Sequence, residues 1–124
     1  MSAVTADTGF LIGLERAKPR AAALLAAARR RSLLISVPVA VVAEWWRGAR
    51  HQAALLELVH FEPMTERLAK SAGEAIAVVD RATVVDAIVM ASAAARGSIV
   101  YTSDFEDLAQ LRDRHFRSVR VLAL

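Results

Sequence analysis

The chain has 124 residues, with 16 basic and 13 acidic side chains, a formal charge of +3 and no cysteine. That length suits a single domain over 1–124 around one core, and the lack of cysteine excludes disulfides, thiolate metal sites and cysteine nucleophiles. Hydrophobic residues make up 56% and aromatics only 6%, so the core has to be built from Ala, Val, Leu and Ile, as it is where helices lie on a Val/Ile sheet. No signal-like N-terminal stretch occurs and no apolar run approaches the roughly 20 residues of a membrane span; the expectation is a cytoplasmic protein with no membrane contact.

Residues 3–6 are a short β-tolerant run that ends at Asp7, so a first strand is expected to deliver a carboxylate at its end. Thr8-Gly9 reads as a turn before a helical pattern over 10–15. Pro19 opens a helix over 20–31, which closes on Arg29-Arg30-Arg31 as the helix dipole prefers. Residues 33–36 read as a second strand that Val37-Pro38 breaks, and a helix follows to a stop at Gly48. Glu44 is the lone acid of that apolar and aromatic segment.

A helix over 49–60, a short strand at 61–64 and a helix over 67–79 come next. Asp80–Thr83 reads as a turn with Thr83 as N-cap. The helix over 84–96 is apolar almost throughout and closes at Gly97, yet Asp86 stands inside it with no basic residue three or four positions away. An unpaired ionised carboxylate on a largely buried helix costs several kcal/mol unless a cation compensates it. Residues 99–101 form a β-branched and aromatic run that stops at Asp104. A helix resumes at Phe105 with Asp107 in its first turn, and 119–122 is a terminal strand. Strands alternate with helices throughout, which predicts an α/β protein, a three-layer α/β/α sandwich on a mainly parallel sheet.

In open parallel sheets the ligand site lies beyond the carboxyl ends of the strands. Asp7 and Asp104 leave strand ends, Glu44 rides the helix after the second strand, Asp86 lies in the first turns of its helix, and Asp107 is near enough to join them. Crowded carboxylates raise one another's pKa unless cations bind them. Oxygen ligands without histidine or cysteine select magnesium, with manganese as the other hard divalent ion, and such ions activate water for phosphodiester hydrolysis. Drawing five of the 13 acids into one pocket leaves the rest of the surface strongly basic, which suits a polyanionic partner. Fourteen of the 16 basic residues are arginine, which favours phosphate, although GC-rich coding gives the same excess.

The blocks Asp7-Thr8, Ala43-Glu44 with Gly48, Val85-Asp86-Ala87-Ile88 and Thr102-Ser103-Asp104-Phe105-Glu106-Asp107-Leu108 stand in the order of the four signature blocks of PIN-domain nucleases. Over nearly its whole length the chain resembles the short VapC-type toxins of toxin–antitoxin pairs. The resemblance implies a five-stranded PIN-like sheet of order 3-2-1-4-5 and a magnesium-dependent endoribonuclease. It also implies Asp7, Glu44, Asp86 and Asp104 as the catalytic and metal-binding quartet, Asp107 as accessory metal ligand and Thr102 as a supporting hydroxyl. An RNA substrate, a cognate antitoxin and a homodimer follow from the same likeness.

Other readings fit less well. A phosphoacceptor receiver or an aspartate-based phosphatase needs a lysine from a late strand or loop, and the only lysines are Lys18 and Lys70; Gly9 takes the place of the phosphatase's second acid. A non-catalytic RNA-binding module on the same fold is the remaining alternative. No serine-nucleophile motif accompanies His51, His60 or His115, and His51 beside Arg50 is expected on a basic surface. Trp45-Trp46 serves the core, an interface or a base-stacking platform.

Overall fold

The computed structural model describes residues 3–124. Five strands, β1 (Val4–Ala6), β2 (Ile35–Pro38), β3 (His60–Glu62), β4 (Ile99–Thr102) and β5 (Arg120–Ala123), form one sheet of order β3-β2-β1-β4-β5. Every pairing is parallel. The chain lays β1 in the middle, builds outward through β2 to β3, then returns to place β4 on the other side of β1. The order reverses between β1 and β4, so a crevice opens where their carboxyl ends diverge.

Seven helices connect the strands: α1 (Thr8–Glu15), α2 (Pro19–Arg30), α3 (Val39–Trp45), α4 (Arg50–Leu56), α5 (Glu66–Val78), α6 (Val84–Arg96) and α7 (Phe105–Arg114). Helix α6 explains its own composition. It touches α3, α5 and α7 and also β1, β2 and β4, and Ala87 through Ala93 are all buried. A helix surrounded on most sides has little polar face to display, and its alanines let the neighbours approach closely. Around it lie Phe10, Leu11, Val37, Val41, Val100, Leu108 and Leu111, each 1% exposed or less. Each such side chain contributes about 1.5–3 kcal/mol through removal from water.

The element boundaries differ from the sequence pattern: α3 stops at Trp45 short of Gly48, β3 and β5 are displaced by a residue or two, and three further differences have a clear cause. Thr8-Gly9 is not a separate turn: Asp7 caps α1 directly, its Oδ1 accepting from Phe10 N at 2.8 Å. The second strand runs two residues later than the apolar run suggests, because pairing with β1 begins at Ile35 and pairing with β3 carries it through Pro38. Proline is tolerated at this last strand position, where its missing N–H affects one bond at most. Helix α4 ends at Leu56 because His60 already belongs to edge strand β3. At the end of α6 the αL conformation of Gly97, φ +66°, turns the chain, and Ser98 N bonds back to Ala93 O at 3.0 Å.

Candidate active site

The crevice between β1 and β4 holds the acids. Asp7 follows β1 and is 4% exposed. Its N-cap bond to Phe10 fixes the carboxylate at the first turn of α1. Thr102, fully buried at the end of β4, accepts from Asp104 N at 2.8 Å through Oγ1 and also hydrogen-bonds the Asp7 carboxylate. One hydroxyl therefore ties the two strand ends together. Asp104 stands at the N-cap position of α7 without a side-chain capping bond and is exposed, and Asp107 is an exposed acid in the first turn of that helix.

Asp86 reaches the same place from above. Thr83 caps α6, its Oγ1 accepting from Asp86 N at 3.1 Å, which holds the half-buried Asp86 in the helix's first turn. Burial pushes its carboxyl up to about 6, against a hydrogen bond from Thr83, and the charges of Asp7, Asp107 and Asp104 push the same way. Asp7 is also raised, first by burial and further by Asp104, while Thr102 and Phe10 N draw it back. Four of the five acids thus share one electrostatic field. Among the described residues no cation pairs with any of them: the ion pairs present are elsewhere, at Glu15–His51, Glu66–Lys70, Glu62–Arg96 and Asp113–Arg112.

Glu44 stands differently. It is exposed at the end of α3 and joins the crevice through Thr8, whose Oγ1 donates to Glu44 Oε1. With Thr8, Gly9, Ser103 and Asp104 it lines a cleft of about 730 Å³ that runs from the crevice along α1. Gly9 keeps this approach close: a Cβ there would meet Ser103 Oγ, whose side chain would have to turn away, and would sit 3.4 Å from Asp7 Oδ1. A second cleft of about 370 Å³ shares Thr8, Ile12, Arg16 and Glu44 and continues to Trp45, Arg47 and His51.

Two expectations about neighbouring residues are resolved. His51 does not simply decorate a basic surface: its Nε2 lies 2.5 Å from Glu15 Oε2. Trp45, 5% exposed, belongs to the core and donates Nε1–H to Glu15 Oε1 at 3.2 Å. The hydrogen bond from His51 above all, then Trp45 and the charges of His51 and Arg16, hold the Glu15 carboxyl below its ordinary value despite some desolvation. Trp46 is 38% exposed.

The donor set fits a hard divalent cation. It is all oxygen, and its two innermost carboxylates are held in a low-dielectric setting with no cation of their own. As the side chains stand, no three His, Asp or Glu among the described residues are drawn close enough to hold an ion, so binding requires them to turn inward. Asp104, Asp107 and Glu44 are exposed and have room to do so.

Sequence reasoning missed the roles of Thr8 and Thr83 toward the acids they serve. Thr83 was legible as a cap, with Asp86 three residues on. Thr8 gives no such sign, because Glu44 is 36 residues away.

An all-parallel sheet of order 3-2-1-4-5 with acids at its switch point defines an α/β domain of the PIN-like fold. No protein-family model and no curated protein matches the chain. Among solved structures it is similar to that of FitAB bound to an IR36 DNA fragment, with a TM-score of 0.65 and 19% identity over 97% of this chain and 94% of that one. At that identity the likeness shows the fold.

Proposed function

We propose that this chain is a magnesium-dependent endoribonuclease, with manganese as a substitute, and that it acts as the toxin of a toxin–antitoxin pair. The observation that carries the reading is a buried Asp7 and a half-buried Asp86 with raised pKa values and no cation beside them. Carboxylates kept in that state are arranged for a cation that arrives with the substrate.

Asp7, Asp86, Asp104 and Glu44 would hold the metal, with Asp107 at the rim. Bound there, the ion supplies charge neutralisation at the phosphoryl oxygens and a more acidic water for in-line attack. The chain's own groups do the rest. Phe10 N and Thr102 fix the Asp7 carboxylate, Thr83 fixes the start of α6 under Asp86, and Thr8 holds Glu44 toward the cleft. Thr102 is a positioning residue: it orders Asp7 and the Asp104 backbone together. One cleft reaches the acids at Glu44 and Asp104, and a second joins it along Thr8, Ile12, Arg16 and Glu44, so a strand has open surface on which to approach the acids. Exposed RNA loops, already unstacked, suit such an approach.

The toxin role is supported by the likeness to FitAB, which was solved on a DNA fragment; a cognate antitoxin, a homodimer and a cytoplasmic location belong to the same proposal. Among the described residues no helix is long and apolar enough to cross a membrane.

The test is incubation of total cellular RNA with the purified protein in magnesium, manganese or chelator, beside Asp86→Ala, with cut ends mapped by sequencing. Discrete cuts only with metal and the unmodified protein are expected. RNA that is bound but never cut under any metal turns the assignment to a binding module on the same fold.

A further inference from the structure

The cleft that reaches Asp104 and the second cleft that joins it at Thr8 and Glu44 share one cationic side chain, Arg16, at the C-terminal end of α1. Along one cleft it is followed by Lys18 and Arg20, along the other by Arg47. None of these four forms an ion pair among the described residues, whereas Lys70, Arg96 and Arg112 do. Glu15, in the second cleft, has both oxygens engaged: Trp45 Nε1 holds one and His51 Nε2 the other. Arg16 acts on it only through its charge and makes no ion pair with it.

The second cleft's wall is also built rather than loose. Gln52, 3% exposed, accepts from Arg47 N at 2.9 Å and donates to Trp45 O at 3.1 Å, pinning the corner between α3 and α4 that carries Arg47. The Arg47 guanidinium itself donates to Trp46 O at 2.6 Å and keeps its remaining N–H groups available. Guanidinium groups without a carboxylate partner, set along a groove, suit phosphates, which they can grip bidentately.

We infer that Arg16, with Lys18 and Arg20 along one cleft and Arg47 along the other, forms a phosphate track that holds single-stranded RNA beside the carboxylate crevice, where Thr8 and Glu44 line it. The inference rests on the nuclease reading for its substrate, but it concerns binding and not bond cleavage. The acids need a strand whose phosphate is brought against them although their own field repels it. Cations in the clefts that adjoin the crevice at Thr8 and Glu44 supply that attraction without neutralising the acids themselves.

The experiment is fluorescence anisotropy of a labelled single-stranded oligoribonucleotide in chelator, where no metal-dependent cleavage intervenes, repeated over a range of potassium chloride. The variants are Arg16→Gln, Lys18→Gln with Arg20→Gln, Arg47→Gln, the charge-retaining Arg16→Lys, and Arg117→Gln as a control. Arg117 is exposed and lies before β5, at the amino ends of the strands, whereas the acids stand at their carboxyl ends. Thermal melts establish that each variant is folded.

Each lost phosphate contact is expected to lower the slope of log affinity against log salt by about 0.7. Arg16→Lys and Arg117→Gln should keep the slope of the unmodified protein. Unmeasurable RNA binding by the unmodified protein, an unchanged slope in Arg16→Gln, or an equal fall in Arg117→Gln overturns the track. A reduced slope in a protein that cuts no RNA under any metal leaves the track standing and removes the nuclease reading. Metal-dependent cutting with an unchanged slope does the reverse.

Discussion

Two places in the molecule bury carboxylates, and they are treated in opposite ways. Glu62, at the end of edge strand β3, is 9% exposed and fully engaged: Ser92 Oγ donates to Oε1, and Arg96 donates to Oε2 at 3.1 Å. Asp7 and Asp86, at the crevice, receive hydrogen bonds from Phe10 N, Thr102 and Thr83 but no cationic partner. The first arrangement ties β3 to α6 and is complete in itself. The second is incomplete, since the charges that act on Asp86 are those of three further carboxylates. A carboxylate that exists to hold the fold brings its own cation; one that exists to meet a ligand is left short of one.

The comparison is tested most severely at the crevice. Asp7→Asn and Asp86→Asn are expected to lower metal-dependent RNA cleavage by about a thousandfold or more, the scale of losing a principal electrostatic group of a site, yet to leave the metal-free protein as stable as before or more stable at neutral pH. Asparagine keeps the shape and the cap geometry while removing a charge that burial disfavours. Cleavage rates and thermal melts in chelator check the two halves, and a large loss of stability in both variants would show that these aspartates serve the fold.

Arg96→Ala should behave in the opposite sense. It leaves Glu62 under cover without its cation, and a destabilisation of about 2–3 kcal/mol is expected, read as a lower denaturation midpoint with cleavage per folded molecule unchanged. Magnesium should not restore it. A variant of unaltered stability would mean that the Glu62–Arg96 pair, with its arginine side chain 29% exposed, contributes no more than a surface ion pair.

The same contrast marks what could be read in the sequence. Asp86 was legible because an isolated acid in an apolar helix has no local explanation, and the structure gives it none. The alternation of strands and helices fixed the layer arrangement, but the order of the strands came with the four motif blocks, since periodicity carries no information about which strands are neighbours. Glu62 was passed over as part of a short strand cut off by Pro63, for its partners lie 30 and 34 residues away. Glu44 was legible as a candidate, and its tether to Thr8 was not, for the same reason of distance. The edges of β2 were misplaced because Leu33 and Leu34 look as strand-like as Ile35 and Val37; what separates them is the register with β1. Lys18 and Arg20 flank Pro19 in plain view, yet nothing local says that the corner between α1 and α2 faces the acids.

The pH dependence of stability, an effect of similar size, is the most direct reading of the crevice's incompleteness. Asp86 has a folded pKa of about 6 against an ordinary value of 3.8. A group raised on folding binds its proton more tightly in the folded state, so its contribution to stability is present below pH 3.8 and is lost as pH rises through about 6. Asp7 shifts in the same direction. In chelator, therefore, the protein's stability should fall between pH 4 and 6.5 by more than that of Asp86→Asn, whose curve lacks this component. Saturating magnesium at neutral pH should return what the ionised pair loses; a free concentration roughly a hundredfold above the dissociation constant raises stability by about 2.7 kcal/mol. Melting curves across that range, with and without metal, decide it. If the two proteins' pH profiles coincide and magnesium shifts neither, the carboxylates of the crevice are no more in need of a cation than Glu62, and the distinction between the two regions fails.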